Sequence, residues 1–239
     1  MKDLFLLAIL VIGFPLMGLG QPFQVVKGDT INRTDSKGLK QGTWKRYYEN
    51  GKLYSEGIFV DGIKTGPFRF YYKSGKLMST YHFHDNGRRS TMHAYYENDS
   101  LKAKGNYIDQ KRDSLWVYFH DNGRISSTGF FREDKEEGEW RTYYPNGNLL
   151  QIANYKKGKK EGPYKEFFED GRPKLETTIT GGNFEGPTRI FHPENKVYQE
   201  GKYVFGLKDS VWNYYSEDGK LVKKETFRKG ALDKTEEFK

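Results

Sequence analysis

The amino-acid sequence predicts an all-β fold, an elongated antiparallel array of β-hairpin repeats with about sixteen short strands. Three observations support it. With 27 Gly, 18 Tyr and 8 Pro, the composition favours short strands and tight turns. A fixed 24-residue period indicates a repeat architecture. Asn-Gly and Asp-Gly dipeptides recur at one place in that period, and they are strong hairpin signals.

The period runs without insertion from residue 42 to residue 233. Its eight repeats begin at Gly42, Gly66, Ser90, Ser114, Gly138, Gly162, Gly186 and Ser210. Counting the first residue as offset 0, offset 5 is aromatic in every repeat, and offset 2 is aromatic in all but two. The predicted domain organisation is a signal peptide at 1–20, an N-terminal cap segment at 21–41, the repeats at 42–233 and a C-terminal tail at 234–239.

The turn signals predict a register for each hairpin. A type I′ turn at offsets 8 and 9, as in Asn146-Gly147, makes paired offsets add up to 17. The ring at offset 2 then faces offset 15, which is Gly or Ala in five repeats, so a small residue leaves room for rings of the same and the next hairpin. Alternation places offsets 2, 6, 11, 13, 15 and 17 on a packing face and offsets 3, 5, 12, 14, 16 and 18 on a more polar face.

The repeat motif is complete in residues 138–149. It consists of Gly138, Trp140, the pair Tyr143-Tyr144, the turn Asn146-Gly147 and Leu149. This pattern resembles the MORN-repeat variant found in many bacterial proteins. The resemblance implies hairpins stacked side by side into an elongated sheet that serves as a scaffold or interaction surface. Some similar chains are labelled antitoxin components of toxin-antitoxin pairs, and MORN arrays elsewhere are proposed to contact membranes or partner proteins.

Three repeats depart from the pattern. The third has Asn98-Asp99 at the turn, the sixth has Pro173 in place of the leucine, and the seventh has Thr188 at the ring position. These positions predict bends in the array or functional spots.

The first residues predict export. An apolar run at 4–17 follows Lys2 and is shorter than the roughly 20 residues that span a bilayer, which is typical of a signal peptide. Asp3 weakens the positive start, so an uncleaved anchor is the alternative. With 0 Cys, disulfides and cysteine metal sites are excluded. We expect a periplasmic, cell-envelope or secreted protein.

A basic stripe at offset 3 lies two residues before the ring at offset 5. Cations beside aromatic planes suit anionic headgroups, glycans or acidic proteins. The candidate binding residues are Lys45, Tyr47, Arg69, Tyr71, Tyr95, Arg141, Tyr143, Lys165 and Arg189. The alternative is ordinary cross-strand pairing, with Glu56 opposite Lys45 and Arg69, Glu176 opposite Lys165 and Arg189, and Glu200 opposite Arg189. Arg141, facing Thr128 and Ile152, is expected to be the least compensated cation.

Neither catalytic residues nor a cofactor or metal site is predicted. The sequence contains no phosphate-binding loop, nucleophile elbow or HExxH motif. His82, His84 and His93 could approach one another, but no carboxylate is placed to orient them.

We therefore expect a non-enzymatic scaffold for an unidentified protein or an anionic envelope component. The formal net charge of +8 allows peripheral association with an anionic membrane surface, which is the first alternative. Antitoxin-like neutralisation of a partner protein is the second. Export and the lack of a recognition motif argue against nucleic acid. The sequence sets no oligomeric state.

Overall fold

The computed structural model describes residues 24–26 and 29–238, and the predicted signal peptide lies outside them. All regular elements in this part of the chain are β-strands. Among these residues there is no helix with the length and apolar character that crossing a membrane requires.

Twenty strands are formed by the described residues. They are β1 (Gln24–Val26), β2 (Asp29–Ile31), β3 (Arg33–Thr34), β4 (Lys40–Tyr47), β5 (Leu53–Val60), β6 (Ile63–Tyr71), β7 (Leu77–His84), β8 (Arg89–Tyr95), β9 (Leu101–Ile108), β10 (Lys111–Phe119), β11 (Ile125–Arg132), β12 (Lys135–Tyr143), β13 (Leu149–Lys156), β14 (Lys159–Phe167), β15 (Pro173–Thr180), β16 (Asn183–Phe191), β17 (Val197–Val204), β18 (Leu207–Tyr215), β19 (Leu221–Arg228) and β20 (Ala231–Glu237).

The predicted fold class is confirmed. From β3 to β20 each strand pairs antiparallel with the next strand along the chain, which gives one open sheet in sequence order. Strands β4 to β19 form the eight hairpins of the repeats, and β1 and β2 form a separate two-stranded sheet. Because every strand contacts its sequence neighbours, the packing is local throughout.

The turn inside each repeat differs from the predicted type I′ turn. Only its second residue has a positive φ, such as Gly51 at 78°. The N–H of Gly51 donates to the carbonyl of Tyr48 at 2.9 Å, and the N–H of Tyr48 donates to the carbonyl of Lys52 at 2.8 Å. These bonds close a three-residue loop, a type I turn followed by one left-handed residue. Asp99 and Asn195 supply that residue where glycine is missing, with φ of 68° and 66°.

A β-bulge compensates for the longer loop. Tyr47 pairs with Leu53, whereas Arg46 pairs with Ser55, so the second strand contains one extra residue. The longer loop removes one residue from the pairing of the first strand, and the bulge removes one from the pairing of the second strand. Beyond the bulge the paired offsets therefore again add up to 17. The predicted pairing of offset 2 with offset 15 is therefore confirmed, although the turn type was wrong.

The turns between repeats are where the type I′ geometry occurs. Asp61 and Gly62 both have positive φ, 50° and 79°, and link Val60 to Ile63. The next strand then contains a bulge at the first residue of the repeat, where Gly66 has φ of 62°. This bulge explains why repeats begin with a residue that tolerates the left-handed conformation.

One junction between repeats is different. His84 pairs with Arg89 across a four-residue loop, and the register between β7 and β8 continues without a bulge. Ser90, the first residue of that repeat, accordingly has no positive φ and is buried.

Each glycine at offset 15 lies beneath a ring from the next hairpin. A Cβ added to Gly105 would lie 2.3 Å from the Trp116 ring, and one on Gly201 would lie 2.4 Å from the Trp212 ring. Both indoles are almost fully buried, with Trp116 only 2% exposed. The predicted role of glycine in making room for rings is confirmed.

The residue at offset 15 and the following residue at offset 2 vary together. Ala153 lies opposite the smaller ring of Tyr164. Thr177 and Thr188 replace glycine and ring by two buried hydroxyls 2.7 Å apart. The departure at Thr188 is thus a local exchange of packing for a hydrogen bond and leaves the register unchanged.

The predicted faces were wrong at two offsets. Tyr54, at offset 12, packs edge-on against Tyr48 at a centroid distance of 5.1 Å and so belongs to the packing face. Leu53, at offset 11, pairs directly with Tyr47 and therefore lies on the polar face. The bulge between Leu53 and Ser55 interrupts the strict alternation on which the prediction depended.

Candidate binding face

One row of side chains crosses the polar face of the sheet, with each residue the direct partner of the next. Within the repeats it alternates between offsets 3 and 14, and it ends on β20; we call it the polar row. Its members are Lys45, Glu56, Arg69, Thr80, His93, Lys104, Val117, Thr128, Arg141, Ile152, Lys165, Glu176, Arg189, Glu200, Asn213, Lys224 and Glu236. With strands about 4.8 Å apart, the row spans roughly 77 Å.

All of the candidate binding residues lie on this face. The cations Lys45, Arg69, Arg141, Lys165 and Arg189 belong to the polar row. Tyr47, Tyr71, Tyr95 and Tyr143 follow on the same face at offset 5 of the first, second, third and fifth repeats, and Tyr47 is 46% exposed. Cations and rings are therefore close neighbours, and their role in binding remains a prediction.

The predicted cross-strand pairings are all present in the register, and they neutralise both ends of the row. Salt bridges join Arg69 to Glu56 at 3.6 Å, Lys165 to Glu176 at 2.8 Å and Arg189 to Glu200 at 3.4 Å. These side chains are partly exposed, so each pair contributes little stability.

The offset-5 ring is tied to the same carboxylates in two places. The hydroxyl of Tyr71 donates to Glu56 at 2.8 Å, and that of Tyr215 donates to Glu200 at 2.8 Å. Burial and the hydrogen bond to Glu56 raise the pKa of Tyr71 to about 12. Tyr71 is therefore held in place at the end of the row where charge is balanced.

The expectation that Arg141 is the least compensated cation was wrong. Its cross-strand partners are Thr128 and Ile152, as predicted. However, its Nε lies 2.7 Å from the carboxylate of Glu139, two residues earlier on the same strand, and this bond raises the pKa of Arg141. The sequence argument considered only partners across the strands and missed this contact along one strand.

The middle of the row is free of carboxylates. From Thr80 to Lys165 its members include His93, Lys104 and Arg141 but no Asp or Glu. Lys104 is exposed and makes no salt bridge with any residue that the structure describes. The strongest uncompensated positive charge of the row is thus at Lys104, which sequence reasoning did not select.

The fourth repeat, residues 114–137, has an apolar surface where other repeats are polar. Its side chains on this face are Leu115, Val117, Phe119, Ile125, Thr128 and Phe130, which we call the apolar stripe. Leu115, Ile125 and Phe130 are 45%, 41% and 54% exposed. Offsets 1 and 16 are both apolar only in this repeat, and that signal could have revealed the stripe from the sequence.

A second set of basic residues serves the packing face instead. Lys40 Nζ lies 4.4 Å from the Trp44 ring centroid, and Lys208 Nζ lies 4.4 Å from that of Trp212. Burial lowers the pKa of Lys208. These cations cover rings of the packing face through cation–π contacts, so they stabilise the array and are not part of the polar face.

The histidines have two structural settings. His82 and His93 line a shallow groove with Arg69 on the polar face. The Nδ1 of His84 is 3.3 Å from the carbonyl of His82. Within the described part of the chain, no three or more potential metal ligands are gathered as a metal site would need.

The remaining two histidines belong to a ladder that joins successive repeats. In six repeats the offset-6 side chain contacts the carbonyl of the offset-5 residue in the next repeat. Tyr96 donates its hydroxyl to the Phe119 carbonyl at 2.8 Å, and His120 Nε2 lies 3.0 Å from the Tyr143 carbonyl. His192 occupies the same position in the seventh repeat, so these imidazoles have a structural role.

Four segments of the chain match the family model described as MORN repeat variant. They are residues 40–61, 64–85, 136–157 and 208–229. Each begins two residues before a repeat derived above, so the matches keep the 24-residue phase. Four of the eight repeats are thus similar to the MORN repeat variant.

Comparisons with solved structures gave weak likenesses. A S. aureus TarM mutant in complex with Fondaparinux, alpha-GlcNAc-glycerol and UDP is 13% identical, with a TM-score of 0.30 over 40% of this chain and 19% of that chain. The TcdB2-TccC3 structure is 14% identical, with a TM-score of 0.24 over 89% of this chain and 14% of that one. This chain therefore spans a small part of either structure. No curated protein matches the sequence significantly.

Proposed function

We propose that this MORN-variant repeat scaffold is non-enzymatic and binds an acidic protein or an anionic envelope polymer through its polar face. The observation that carries the proposal is the carboxylate-free middle of the polar row, where His93, Lys104 and Arg141 lie beside exposed apolar and aromatic side chains. Such a surface offers ion pairing and cation–π contact together.

The charges on this face favour binding of an acidic ligand at the middle of the polar row over binding at its ends. At the ends, Glu56, Glu176 and Glu200 already occupy the neighbouring cations. An acidic ligand would have to displace those carboxylates there. At Lys104 no carboxylate of the described residues forms a salt bridge. An acidic ligand can therefore form an ion pair with Lys104 without displacing another group.

The proposed setting is the cell envelope or the exterior of the cell. The apolar run at residues 4–17 supports it. N-terminal sequencing of the protein recovered from the producing cells tests it. A mature chain that begins near residue 21 is the expected result, and a full-length chain in the cytoplasm would contradict it.

Affinity capture with the full chain tests the binding face. We expect partners from an envelope extract to be lost when Arg141 and Tyr143 are both replaced by Ala. The matched control replaces Arg172 and Phe205 by Ala, because both are exposed and lie in turns away from the row. An identical partner list for the two double variants would remove the polar face from the proposal.

The same proteins discriminate between the alternatives. Binding to phosphatidylglycerol-containing vesicles that disappears as salt is raised from about 50 to 500 mM would favour a membrane surface, because exposed charges are then screened. Salt-resistant capture of one protein supports the scaffold proposal. An antitoxin-like role requires that the captured partner be toxic when it is produced without this chain.

A further inference from the structure

We propose that the apolar stripe of the fourth repeat anchors a protein segment with apolar side chains at its centre and one carboxylate on each side. The inference rests on the proposed function and names the class of partner. It follows from the shape of the stripe, from the charges that flank it and from the distance between those charges.

The stripe is continuous along two paired strands. Leu115 pairs with Phe130, Val117 with Thr128, and Phe119 with Ile125, so the six side chains form three adjoining pairs. The first pair is what distinguishes this repeat, because every other repeat has at least one polar residue at offset 1 or 16, whereas the third pair joins a ring to an aliphatic or proline side chain in all repeats. Contiguous exposed apolar surface of this kind marks interaction sites on soluble proteins.

Cations flank the stripe on both sides. Lys104 on β9 is the direct partner of Val117, and Arg141 on β12 is the direct partner of Thr128. Both lie in the polar row, so a ligand that follows the row passes a cation, the apolar stripe and a second cation in turn. This order defines the chemistry of the partner.

The carboxylates near the stripe are already engaged. Glu137 accepts a hydrogen bond from the backbone N–H of Lys157 at 2.9 Å. Glu139 is paired with Arg141, and Asp113 accepts a hydrogen bond from Ser114 at 3.1 Å. Lys104 has no salt-bridge partner in the described chain, so its flank attracts an acidic group directly. At the other flank an acidic group of the ligand would have to replace Glu139 at Arg141.

The separation of the two cations sets the spacing in the partner. Strands β9 and β12 are three strand intervals apart, or about 14 Å. An extended peptide advances about 3.4 Å per residue, so its two acidic residues should be roughly four positions apart with apolar residues between them. A uniform polyanion has no apolar centre and would leave the stripe exposed to water, and for this reason we favour a peptide segment.

Selection from a phage-displayed library of random peptides on the full chain tests the inference. We expect enrichment of peptides with an apolar centre and acidic residues about four positions apart. A synthetic peptide of the selected sequence should bind at least tenfold more weakly to a Leu115→Ser/Phe130→Ser variant. Both side chains are exposed, so circular dichroism should show an unchanged fold.

A charge reversal supplies a second readout. On a Lys104→Glu variant, the preference at one flank should change from acidic to basic residues. Selected peptides that bind the parent and the serine variant equally, or that show no acidic preference, would overturn the inference. Absence of any enrichment would overturn it as well.

The outcome is separable from that of the proposed function. If the Leu115→Ser/Phe130→Ser variant keeps every partner that the Arg141→Ala/Tyr143→Ala variant loses, the stripe is not the anchor and the polar face still binds. If both variants keep their partners, the proposed function and the inference are both wrong.

Discussion

Replacing Gly105 by Ala should destabilise the sheet, because the ring of Trp116 occupies the space of the new methyl group. The added Cβ would lie 2.3 Å from atoms of the Trp116 ring. The Trp116 side chain is almost fully buried, with only 2% of its surface exposed. Trp116 also donates its Nε1–H to the carbonyl of Asn106 at 3.1 Å, so the ring cannot move without losing that bond. The methyl group must therefore displace the indole or the strand.

The opposing effects differ in size. Overpacking costs roughly 1–3 kcal/mol, and full loss of a buried ring roughly 3–5 kcal/mol. Replacing glycine by alanine favours folding by only about 0.4–1 kcal/mol through the unfolded chain. The overpacking cost less this gain leaves an expected net loss of about 1–2 kcal/mol for Gly105→Ala. Equilibrium urea unfolding followed by circular dichroism measures it.

The chain itself supplies the control. Ala153 is the direct partner of Tyr164, so one pair of this sheet already accommodates a methyl group beside a tyrosine ring. In a Trp116→Tyr background, Gly105→Ala should therefore cost less than about 1 kcal/mol, and the difference is the coupling between the two sites. Equal costs in the two backgrounds, or no cost in either, would refute the ring-over-glycine packing.

Three further predictions concern stability. Tyr96→Phe removes the hydroxyl that donates to the Phe119 carbonyl and should lower the free energy of unfolding by about 1 kcal/mol in urea titrations. Because burial raises the pKa of Tyr71 to about 12, its contribution is complete below the unfolded value near pH 10 and is lost as pH rises through about 12. Urea unfolding at pH 9 and pH 11.5 should show a smaller alkaline loss for Tyr71→Phe than for the parent. Asn195 adopts a left-handed backbone conformation with φ of 66°, which glycine adopts at less cost. Asn195→Gly should therefore raise the midpoint of thermal unfolding, with a gain in the free energy of unfolding of up to about 1 kcal/mol. A fall in its midpoint would contradict the turn assignment.

The sequence was sufficient for the features that depend on period and pairing. The 24-residue period predicted the hairpins, and the pairing of Glu56 with Lys45 and Arg69 followed from the register alone. The turn type was wrong because an Asn-Gly dipeptide suits both a two-residue loop and a three-residue loop followed by a bulge. The predicted and observed hairpins differ by one unpaired residue in each strand. These two differences cancel, so the predicted register is correct beyond the bulge.

The site was less predictable, because side-chain contacts depend on rotamers as well as register. Glu139 and Arg141 are two residues apart on one strand and therefore share a face, but whether they form a salt bridge depends on their rotamers, which the register does not fix. The apolar stripe could have been predicted, because the register already makes Leu115 and Phe130 direct partners, and only the extent of their exposure required the structure.

Photo-crosslinking from two native phenylalanine positions tests the binding face most directly. Phe130 lies in the apolar stripe at 54% exposure, whereas Phe205 lies in a turn between repeats at 84% exposure. Each is replaced by benzoyl-phenylalanine, which keeps the ring, and the full chain is irradiated in an envelope extract. We expect a discrete adduct from position 130 that the selected peptide abolishes, and none from position 205. A partner crosslinked from 205 but not from 130 would contradict binding through the polar face.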